Sequence, residues 1–292
     1  MFTAPALERL LIAYARRFPV RKGKLRVIDR FWRAAAGDQG VARVAKLRYG
    51  DLKVPCDLTE MLQRQFYFFG TYFLEEQILN CWIDAAKDAE IIFDVGANFG
   101  IYSLAAIAMQ PKAIVHAFEP TPEIANKLRQ TVKLNDLDNL IVHEVAVASH
   151  AGEAILRRYR GELGINEGMN YICSGTRKPG DECVQTICLD EFCNEAKISK
   201  IDLLKIDVQG QEHAVLHGAK DLIRCDRLKT IYMELNWVGE LGLICPATEC
   251  IKLLAEAGYR FASPADCGLW RESGTWLQGL SEIIAHNPNA AP

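Results

Sequence analysis

Two glycines and two polar side chains lie together in one short segment of this sequence. The segment is Asp94-Val-Gly-Ala-Asn-Phe-Gly100, and it directly follows the apolar run Ile91–Phe93. Gly96 and Gly100 allow a tight turn and a close approach of the backbone to a ligand, and a helix that follows presents free N–H groups. A strand, a glycine turn and a helix in this order indicate a nucleotide-binding loop.

The residue at position 98 discriminates between nucleotide ligands. A loop that binds a pyrophosphate carries the pattern G-x-G-x-x-G. Here Asn98 stands where the second glycine is expected, and the third glycine is absent. The loop therefore favours a smaller ligand whose amino-acid end needs hydrogen-bonding groups. An NAD-dependent oxidoreductase on a similar sheet stays as the alternative.

An acidic residue ends the next apolar run, in Phe118-Glu119-Pro120. At the carboxyl edge of a parallel sheet, beside the first loop, Glu119 can accept hydrogen bonds from both hydroxyls of a ribose. An NAD enzyme would use the same contact, so Glu119 alone does not separate the two classes. The combination of Glu119 with Asp94 does separate them. Asp94 is an acid inside the first strand that can order the loop or meet a ligand ammonium group.

The elements that must position these residues follow from the apolar pattern of residues 89–292. Short apolar runs without polar alternation predict parallel strands that are buried on both faces. With helices between them, we expect an α/β, Rossmann-like, mostly parallel doubly wound sheet covered by helices on both faces. A polar, glycine-rich stretch at about 150–189 is expected to form a loop-rich insertion. The predicted strands are 91–95, 113–118, 140–145, 203–207 and 230–235, and the predicted helices are 101–109, 122–134, 211–224 and 246–257.

Residues 1–88 are predicted to form a helical, basic extension of this domain. The expected helices are 6–17, 25–36 and 71–86, with a small hairpin around Gly50-Asp51. Residues 1–48 hold twelve Lys or Arg against three acidic residues. We expect the extension to line a substrate pocket or form a homodimer contact. Weak contact with an anionic membrane and a plain solvated helical face are both compatible with its charge.

The bulk composition argues against several classes of protein. The chain has 292 residues and a net charge of −3, which gives no global attraction to nucleic acid. No apolar run approaches the roughly 20 residues of a membrane span, and we predict a cytoplasmic protein. None of the ten cysteines stands in a CxxC pair, so we expect reduced thiols. Asp190, Asp207 and Glu234 are oxygen donors that suit magnesium, but nothing in the sequence shows that they converge, and no metal is expected.

Taken together, the motifs resemble the FkbM family of methyltransferases over roughly residues 60–260. The resemblance implies a class I methyltransferase fold, S-adenosylmethionine (SAM) as methyl donor, and a hydroxyl acceptor on a natural product or a sugar-containing small molecule. The similar segments are Asp94–Leu104, Phe118–Pro120, Asn135, Val145–Val147, Leu189-Asp190 and Leu204–Glu212.

The resemblance also implies which residues contact the cofactor. The methionine side would be lined by Asp94, Gly96, Asn98 and Gly100. Glu119 would bind the ribose, and Val145-Ala146 would lie at the adenine. The remaining expected members of the cofactor site are Ala97, Tyr102, Ser103, Pro120, Asn135 and Asp207.

Catalysis is expected at the carboxyl end of the apolar run Leu203–Asp207. A hydroxyl acceptor must lose its proton during methyl transfer, so Asp207 is the predicted base or acceptor-orienting group, with Lys205 positioning the substrate. Glu212 is a third candidate, although its place at the start of a helix suits the helix dipole equally well.

One position departs from the family pattern. The family motif resembles Lys-Ile-Asp-Val-Glu-Gly-x-Glu, and Gln209 stands where its first Glu is expected. An amide keeps the hydrogen-bonding reach of that Glu but cannot take a proton at neutral pH. A catalytically silent cofactor-binding or scaffold protein is therefore a second alternative.

Overall fold

The computed structural model describes residues 4–19, 21–37, 41–161, 164–165, 169–173, 176–235, 247–278 and 280–290. Its helices are α1 (Ala4–Arg17), α2 (Lys24–Ala36), α3 (Met61–Phe69), α4 (Glu76–Ala86), α5 (Ile101–Met109), α6 (Pro122–Leu134), α7 (Leu189–Glu195), α8 (Glu212–His217), α9 (Lys220–Arg224) and α10 (Ala247–Glu256). Its strands are β1 (Ala42–Lys46), β2 (Lys53–Asp57), β3 (Ile91–Val95), β4 (Ile114–Phe118), β5 (Leu140–His143), β6 (Ala146–Val147), β7 (Gly152–Arg157), β8 (Arg160–Gly161), β9 (Gly164–Ile165), β10 (Tyr171–Cys173), β11 (Glu182–Ile187), β12 (Ile201–Ile206), β13 (Leu228–Glu234), β14 (Arg260–Ala262) and β15 (Glu282–His286).

The central sheet has seven strands in the order β14-β15-β13-β12-β3-β4-β5. Neighbouring strands from β5 to β13 are parallel, whereas β15 is antiparallel to both β13 and β14. Ile92 belongs to an apolar cluster with α4 and α5, and the next residue, Phe93, belongs to a second cluster with α7–α10. This alternation is that of a strand buried on both faces. The expected α/β, Rossmann-like sheet is confirmed.

The chain reverses its progress across the sheet between β3 and β12. From β3 it adds β4 and β5 on one side, and it later adds β12 and β13 on the other. Connections that leave two neighbouring parallel strands in opposite directions open a crevice at the carboxyl ends of those strands. The segments that follow β3 and β12 therefore face one another across this crevice.

Helices α1, α2 and α3 pack into a separate apolar cluster before the sheet begins. Its centre is formed by buried side chains such as Ile28 and Trp32 of α2. The Glu8 carboxylate of α1 accepts a hydrogen bond from Arg43 at 2.7 Å and another from the Tyr67 hydroxyl at 2.8 Å. These contacts fix α1 against β1 and α3.

The polar stretch at 150–189 contains more regular structure than the sequence indicates. Strands β7, β10 and β11 lie there and join β6 in a four-stranded sheet of order β10-β7-β11-β6. Only a few of its side chains, such as Leu156 and Val184, are buried. A weakly buried sheet has a weak apolar pattern, which explains why the sequence predicts loops.

Several predicted boundaries are confirmed and others are wrong. The helices predicted at 101–109 and 122–134 and the hairpin around Gly50-Asp51 are confirmed. The helix predicted at 211–224 is two helices, α8 and α9, which are divided at Gly218 and Ala219; at Gly218 the chain passes so close to Ala148 that a Cβ would lie 2.2 Å from its carbonyl oxygen.

Other differences concern the start of one helix and several elements that were not predicted. The helix predicted to begin at residue 71 begins at Glu76, and α3, β14 and β15 are absent from the prediction. β14 has three residues and β15 has five, so a hydrophobic period is hard to recognise in either. Within the described ranges, no helix is both long and apolar enough to cross a bilayer.

Candidate active site

The loop after β3 forms one wall of the crevice from backbone atoms. The N–H groups of Gly96 and Ala97 both donate to the carbonyl oxygen of Phe118 at 3.0 Å, which ties the loop to the end of β4. Gly96 has φ of 79°, and a Cβ there would lie 1.9 Å from the backbone oxygen of Asp207. Only glycine therefore fits where the loop meets the segment after β12.

Asp94 lies beneath this loop rather than in the crevice. The residue is 1% exposed, and its Oδ2 accepts hydrogen bonds from the Ser103 N–H at 3.0 Å and the Ser103 hydroxyl at 2.6 Å. Burial raises the pKa of Asp94, although Lys205 and the bonds from Ser103 oppose the rise. The Asp94–Ser103 pair thus joins β3 to the first turns of α5, which starts after Gly100.

Glu119 joins the loop to the end of β4. Its Oε2 accepts a hydrogen bond from the backbone N–H of Asn98 at 3.0 Å, and its Oε1 accepts one from the N–H of Thr121 at 2.8 Å. The carboxylate is therefore held in one orientation. Within the described residues, the buried Asn98 Oδ1 and Thr121 Oγ1 have no hydrogen-bond partner. Both residues line the crevice, so these atoms can be satisfied by a ligand.

The crevice is open to solvent, and its empty space, including the solvent at its mouth, is about 1130 Å³. Its far side is closed by apolar residues of the small sheet, Leu156 and Ile172. The sequence-predicted residues that line it are Gly96, Ala97, Asn98, Tyr102, Glu119, Pro120, Val145, Ala146, Lys205 and Asp207.

Five predicted site residues lie outside the cleft lining: Asp94 and Ser103, which pair beneath the loop, and Gly100, Asn135 and Glu212. The side chain of Asn135 donates to the carbonyl oxygen of Lys53 and accepts from its N–H, both at 2.7 Å, which ties α6 to β2. Glu212 is fully buried at the start of α8, and its Oε1 accepts a hydrogen bond from the Gly210 N–H at 3.0 Å. These contacts organise the fold around the site.

The opposite wall is an ion pair with an amide beside it. Lys205 Nζ donates to Asp207 Oδ2 at 2.8 Å. Gln209 Nε2 donates to Asp207 Oδ1 at 2.8 Å and to Glu234 Oε2 at 3.1 Å. Both oxygens of Asp207 therefore accept hydrogen bonds. Burial favours the neutral form of Asp207, but the positive charge of Lys205 and these hydrogen bonds outweigh it and hold its pKa below the usual value.

Glu234 carries a proton that Asp207 lacks. Burial, together with the adjacent Asp207 carboxylate, raises the pKa of Glu234 to about 10. Two carboxyl groups this close cannot both be ionised without a large electrostatic cost. At neutral pH the wall therefore pairs a neutral Glu234 with an ionised Asp207, and Gln209 donates to both.

Several residues that line the cleft were not predicted from the sequence. The most polar of them is Glu75, whose Oε2 accepts a hydrogen bond from the Tyr102 hydroxyl at 2.8 Å. Lys205 Nζ lies 4.4 Å from the centroid of the same tyrosine ring. Glu75 precedes α4 without any motif around it, so nothing in the sequence indicates that it lines the cleft. The others include Leu62, Tyr72, Met169, Ile172 and Gln211.

Metal binding has no further support from the described residues. Among them, no three His, Cys, Asp or Glu side chains converge as metal ligands would.

Comparison with known sequences places these features in a family. Residues 94–261, more than half of the chain, match the family described as Methyltransferase FkbM domain. The match begins at Asp94 and extends through the loop, Glu119 and the Lys205–Asp207 pair as far as Phe261, and Glu75 lies before it.

Three curated relatives illustrate the range of the family. The chain is 30% identical over 161 residues to the 2-O-methyltransferase NoeI of Sinorhizobium fredii (strain NBRC 101917 / NGR234), covering 51% of this chain and 65% of NoeI, slightly under two thirds. It is 29% identical over 206 residues to the 31-O-demethyl-FK506 methyltransferase FkbM of Streptomyces tacrolimicus, covering 62% and 76% of the two chains. It is 25% identical over 153 residues to the hexuronic acid methyltransferase AglP of Haloferax volcanii, covering 51% and 58%.

Solved structures are more distant. A SAM-dependent methyltransferase from Agrobacterium tumefaciens matches with a TM-score of 0.43 at 12% identity, covering 86% of this chain and 71% of that one. An O-methyltransferase from Bacillus cereus in complex with S-adenosylhomocysteine (SAH) matches with a TM-score of 0.42 at 10% identity, covering 73% and 79%. TM-scores below 0.5 support no functional conclusion, so the assignment rests on the sequence family. The chain belongs to the FkbM family of methyltransferases.

Proposed function

We propose that this chain is a SAM-dependent O-methyltransferase whose acceptor is a hydroxyl of a natural product or a sugar-containing small molecule. The observation that carries the proposal is the cleft itself, which sets a glycine loop bound to Glu119 opposite the Lys205–Asp207 pair. The names of the relatives support the acceptor class, because they specify a 2-O-methyltransferase, a 31-O-demethyl-FK506 methyltransferase and a hexuronic acid methyltransferase.

The loop side of the cleft fits an S-adenosyl group. The buried Asn98 Oδ1 and Thr121 Oγ1 are polar atoms that can bond to a ligand in the cleft. Glu119 would hold the ribose, and Val145 and Ala146 offer a surface for the adenine. When bound, SAM supplies an electrophilic methyl group on a sulfonium centre.

The chain's own residues would align the acceptor and manage its proton. Holding two reactants close and in line accounts for much of the acceleration of a displacement reaction. The Lys205–Asp207 ion pair lines the cleft and is fixed on both sides, by Tyr102 and by Gln209. Because both Asp207 oxygens already accept hydrogen bonds, its contacts favour a role in orienting the acceptor over a role as base.

Thermal unfolding with added ligands tests the cofactor class. SAH at about 100 times its dissociation constant is expected to stabilise the folded chain by about 2.7 kcal/mol, and NADH is expected to give no shift. Protection by NADH without protection by SAH would instead support the oxidoreductase alternative.

Transfer of radiolabelled methyl groups from SAM tests the acceptor class. The panel contains a neutral methyl glycoside, a hexuronic acid and a hydroxylated polyketide. Label recovered in an O-methyl product supports the proposal. Tight SAH binding with no label transferred to any hydroxyl compound favours the silent scaffold alternative that Gln209 suggests.

The surface of α1 and α2 supports a weak peripheral contact with an anionic membrane. Exposed aromatic side chains beside arginines are typical of helices that lie at such an interface. Phe18 and Phe31 are 48% and 41% exposed. On α1 and α2, the exposed arginines with no acidic partner among the described residues are Arg9, Arg16, Arg17, Arg26, Arg30 and Arg33.

Vesicle co-sedimentation tests this contact. The chain is expected to bind phosphatidylserine vesicles and not phosphatidylcholine vesicles, and substitution of Arg26, Arg30 and Arg33 by Gln should abolish binding. Equal recovery with both vesicle types would refute the contact. Sedimentation velocity in the same buffer shows whether the surface forms a homodimer instead.

A further inference from the structure

We propose that Glu75 is the general base that removes the proton of the acceptor hydroxyl. The inference rests on the proposed O-methyltransferase function. It is needed because Gln209 cannot take a proton and donates instead to the two nearest carboxyl groups.

The backbone that carries Glu75 is firmly held. Glu75 is the residue immediately before α4, and its carbonyl oxygen accepts the hydrogen bond from the Leu79 N–H at 3.0 Å. Helix α4 is fixed from two sides, by the bond from Trp82 Nε1 to the Tyr102 carbonyl at 3.0 Å and by the bond from the Tyr232 hydroxyl to the Cys81 carbonyl at 3.1 Å. A base on such a support keeps its position relative to the cleft.

The side chain of Glu75 has one oxygen fixed and one available. Tyr102 donates to Oε2 at 2.8 Å, and Oε1 accepts no hydrogen bond from any described residue. Asp207 differs, because both of its oxygens are engaged, and Glu234 differs, because it already carries a proton. Among these three carboxyl groups, Glu75 is thus the one that can accept a proton.

The surroundings of Glu75 adjust its proton affinity. Burial raises the pKa of Glu75 to about 7, opposed by Lys205 and the bond from Tyr102. A general base works best when its pKa lies near the working pH. The charged or titratable groups that face it are Tyr72, Tyr102, Lys205, Asp207, Glu234 and Glu282.

The proposed step moves a proton to Glu75 and a methyl group to the acceptor oxygen. The acceptor O–H bond breaks and its proton moves to Glu75 Oε1, while the acceptor oxygen bonds to the methyl carbon. The carbon–sulfur bond breaks and its electron pair stays on sulfur, which leaves a neutral thioether. The products are the methyl ether, SAH and a protonated Glu75, which returns its proton to solvent.

Carboxyl ¹³C NMR of the unliganded full chain tests the proton affinity directly. The resonance that disappears in Glu75→Gln is expected to titrate near pH 7 in the wild type. In the wild type the hydrogen bond from Tyr102 lowers the pKa of Glu75. Tyr102→Phe removes this bond, so the resonance should titrate at higher pH. Titration in the ordinary glutamate range, near pH 4, would overturn the proposal.

Kinetics with methyl α-glucoside as the probe acceptor test the role in catalysis. Glu75→Gln is expected to lower kcat by about 100-fold or more and to remove the rise in kcat with pH near 7, while Glu75→Asp retains that rise. The control is Glu76→Gln, whose carboxylate pairs with Arg21 and Arg48 away from the cleft and should leave the profile unchanged.

The outcomes separate the two proposals. If the wild-type chain is active and Glu75→Gln shows the same rise in kcat with pH, the role of Glu75 as base is overturned and the proposed function is not. If Glu75→Gln binds SAH more weakly but keeps the rise in kcat with pH, Glu75 is a cofactor contact, and its role as base is also overturned. A wild-type chain that does not bind SAH contradicts the proposed function itself.

Discussion

The two walls of the cleft are built in different ways. The loop wall consists of backbone from one continuous segment, fixed by its hydrogen bonds to Phe118 and Glu119. The opposite wall consists of side chains that come from separate elements: Glu75 before α4, Lys205 in β12 and Glu234 in β13. A wall of backbone depends on a few residues of fixed type, whereas a wall of side chains can exchange one group for another.

This difference explains where the chain departs from its family. The loop carries Gly96 and Gly100 and is tied to Glu119. The change at Gln209 lies in the side-chain wall, where an amide fits between Asp207 and Glu234 because one of those two carboxyl groups is ionised and the other is protonated. The polar side chains of this wall can therefore change while the cofactor loop stays intact.

The largest expected effect comes from Gly96→Ala in the loop wall. The new Cβ would lie 1.9 Å from the Asp207 carbonyl oxygen, so the two walls must separate. A displacement of about 1 Å can cost about 100-fold in function, and we expect at least that loss in SAH affinity by calorimetry.

Gly23→Ala is the matched control for this substitution. Gly23 has nearly the same backbone conformation, with φ of 83°, but nothing lies within 4 Å of its added Cβ. It should cost about 1–3 kcal/mol in folding and leave the SAH affinity of the folded chain unchanged. Equal losses of affinity in the two variants would show that the contact between the walls is unimportant.

A smaller effect is expected from Glu119→Gln. The amide replaces one of two acceptors that bind the N–H groups of Asn98 and Thr121. Loss of a hydrogen bond to a charged group costs about 1.5–3 kcal/mol, so SAH should bind roughly 10- to 100-fold more weakly. Glu123→Gln, at an exposed partner of Arg158, is the control and should change affinity little. Unchanged SAH binding in Glu119→Gln would remove the proposed ribose contact.

Gln209→Glu tests the side-chain wall through the pH dependence of stability. The new carboxyl group would face Asp207 and Glu234, so its pKa in the folded chain should rise above the value of about 4.3 in the unfolded chain. The folded state then binds the extra proton more tightly. Stability relative to wild type is therefore lost as the pH rises from the unfolded value through the folded value.

Urea unfolding at two pH values measures this effect. The deficit of Gln209→Glu is expected to reach about 1–3 kcal/mol at pH 8 and to be smaller at pH 5. Gln185→Glu is the control, because this exposed amide also bonds to a glutamate, Glu153, and water screens the new charge. A deficit that does not depend on pH would contradict the charge pattern assigned to this wall.

The same contrast explains how much of the site could be predicted from the sequence. The loop and Glu119 lie in short motifs at strand ends, so their meeting at the sheet edge follows from the parallel order of the strands. Glu75 comes into the cleft only through the packing of α4, held by Trp82 and Tyr232, and no local pattern encodes that contact.

Two other predicted residues show how a motif can mark structure. Asn135 stands in a motif of the family, but its side chain binds the backbone of Lys53 and so joins α6 to β2. Glu212 belongs to the motif after β12 and bonds to Gly210 instead of lining the cleft. Sequence motifs mark positions that the fold needs, and only the packing shows which of them face the ligand.

A crystal structure with SAH bound is the most direct test of this division of the cleft. We expect the ribose hydroxyls to bind Glu119, the adenine to lie near Val145 and Ala146, and the sulfur to point toward the wall that holds Asp207 and Glu75. An adenosine placed against Lys205 and Asp207, with Glu119 out of contact, would contradict it.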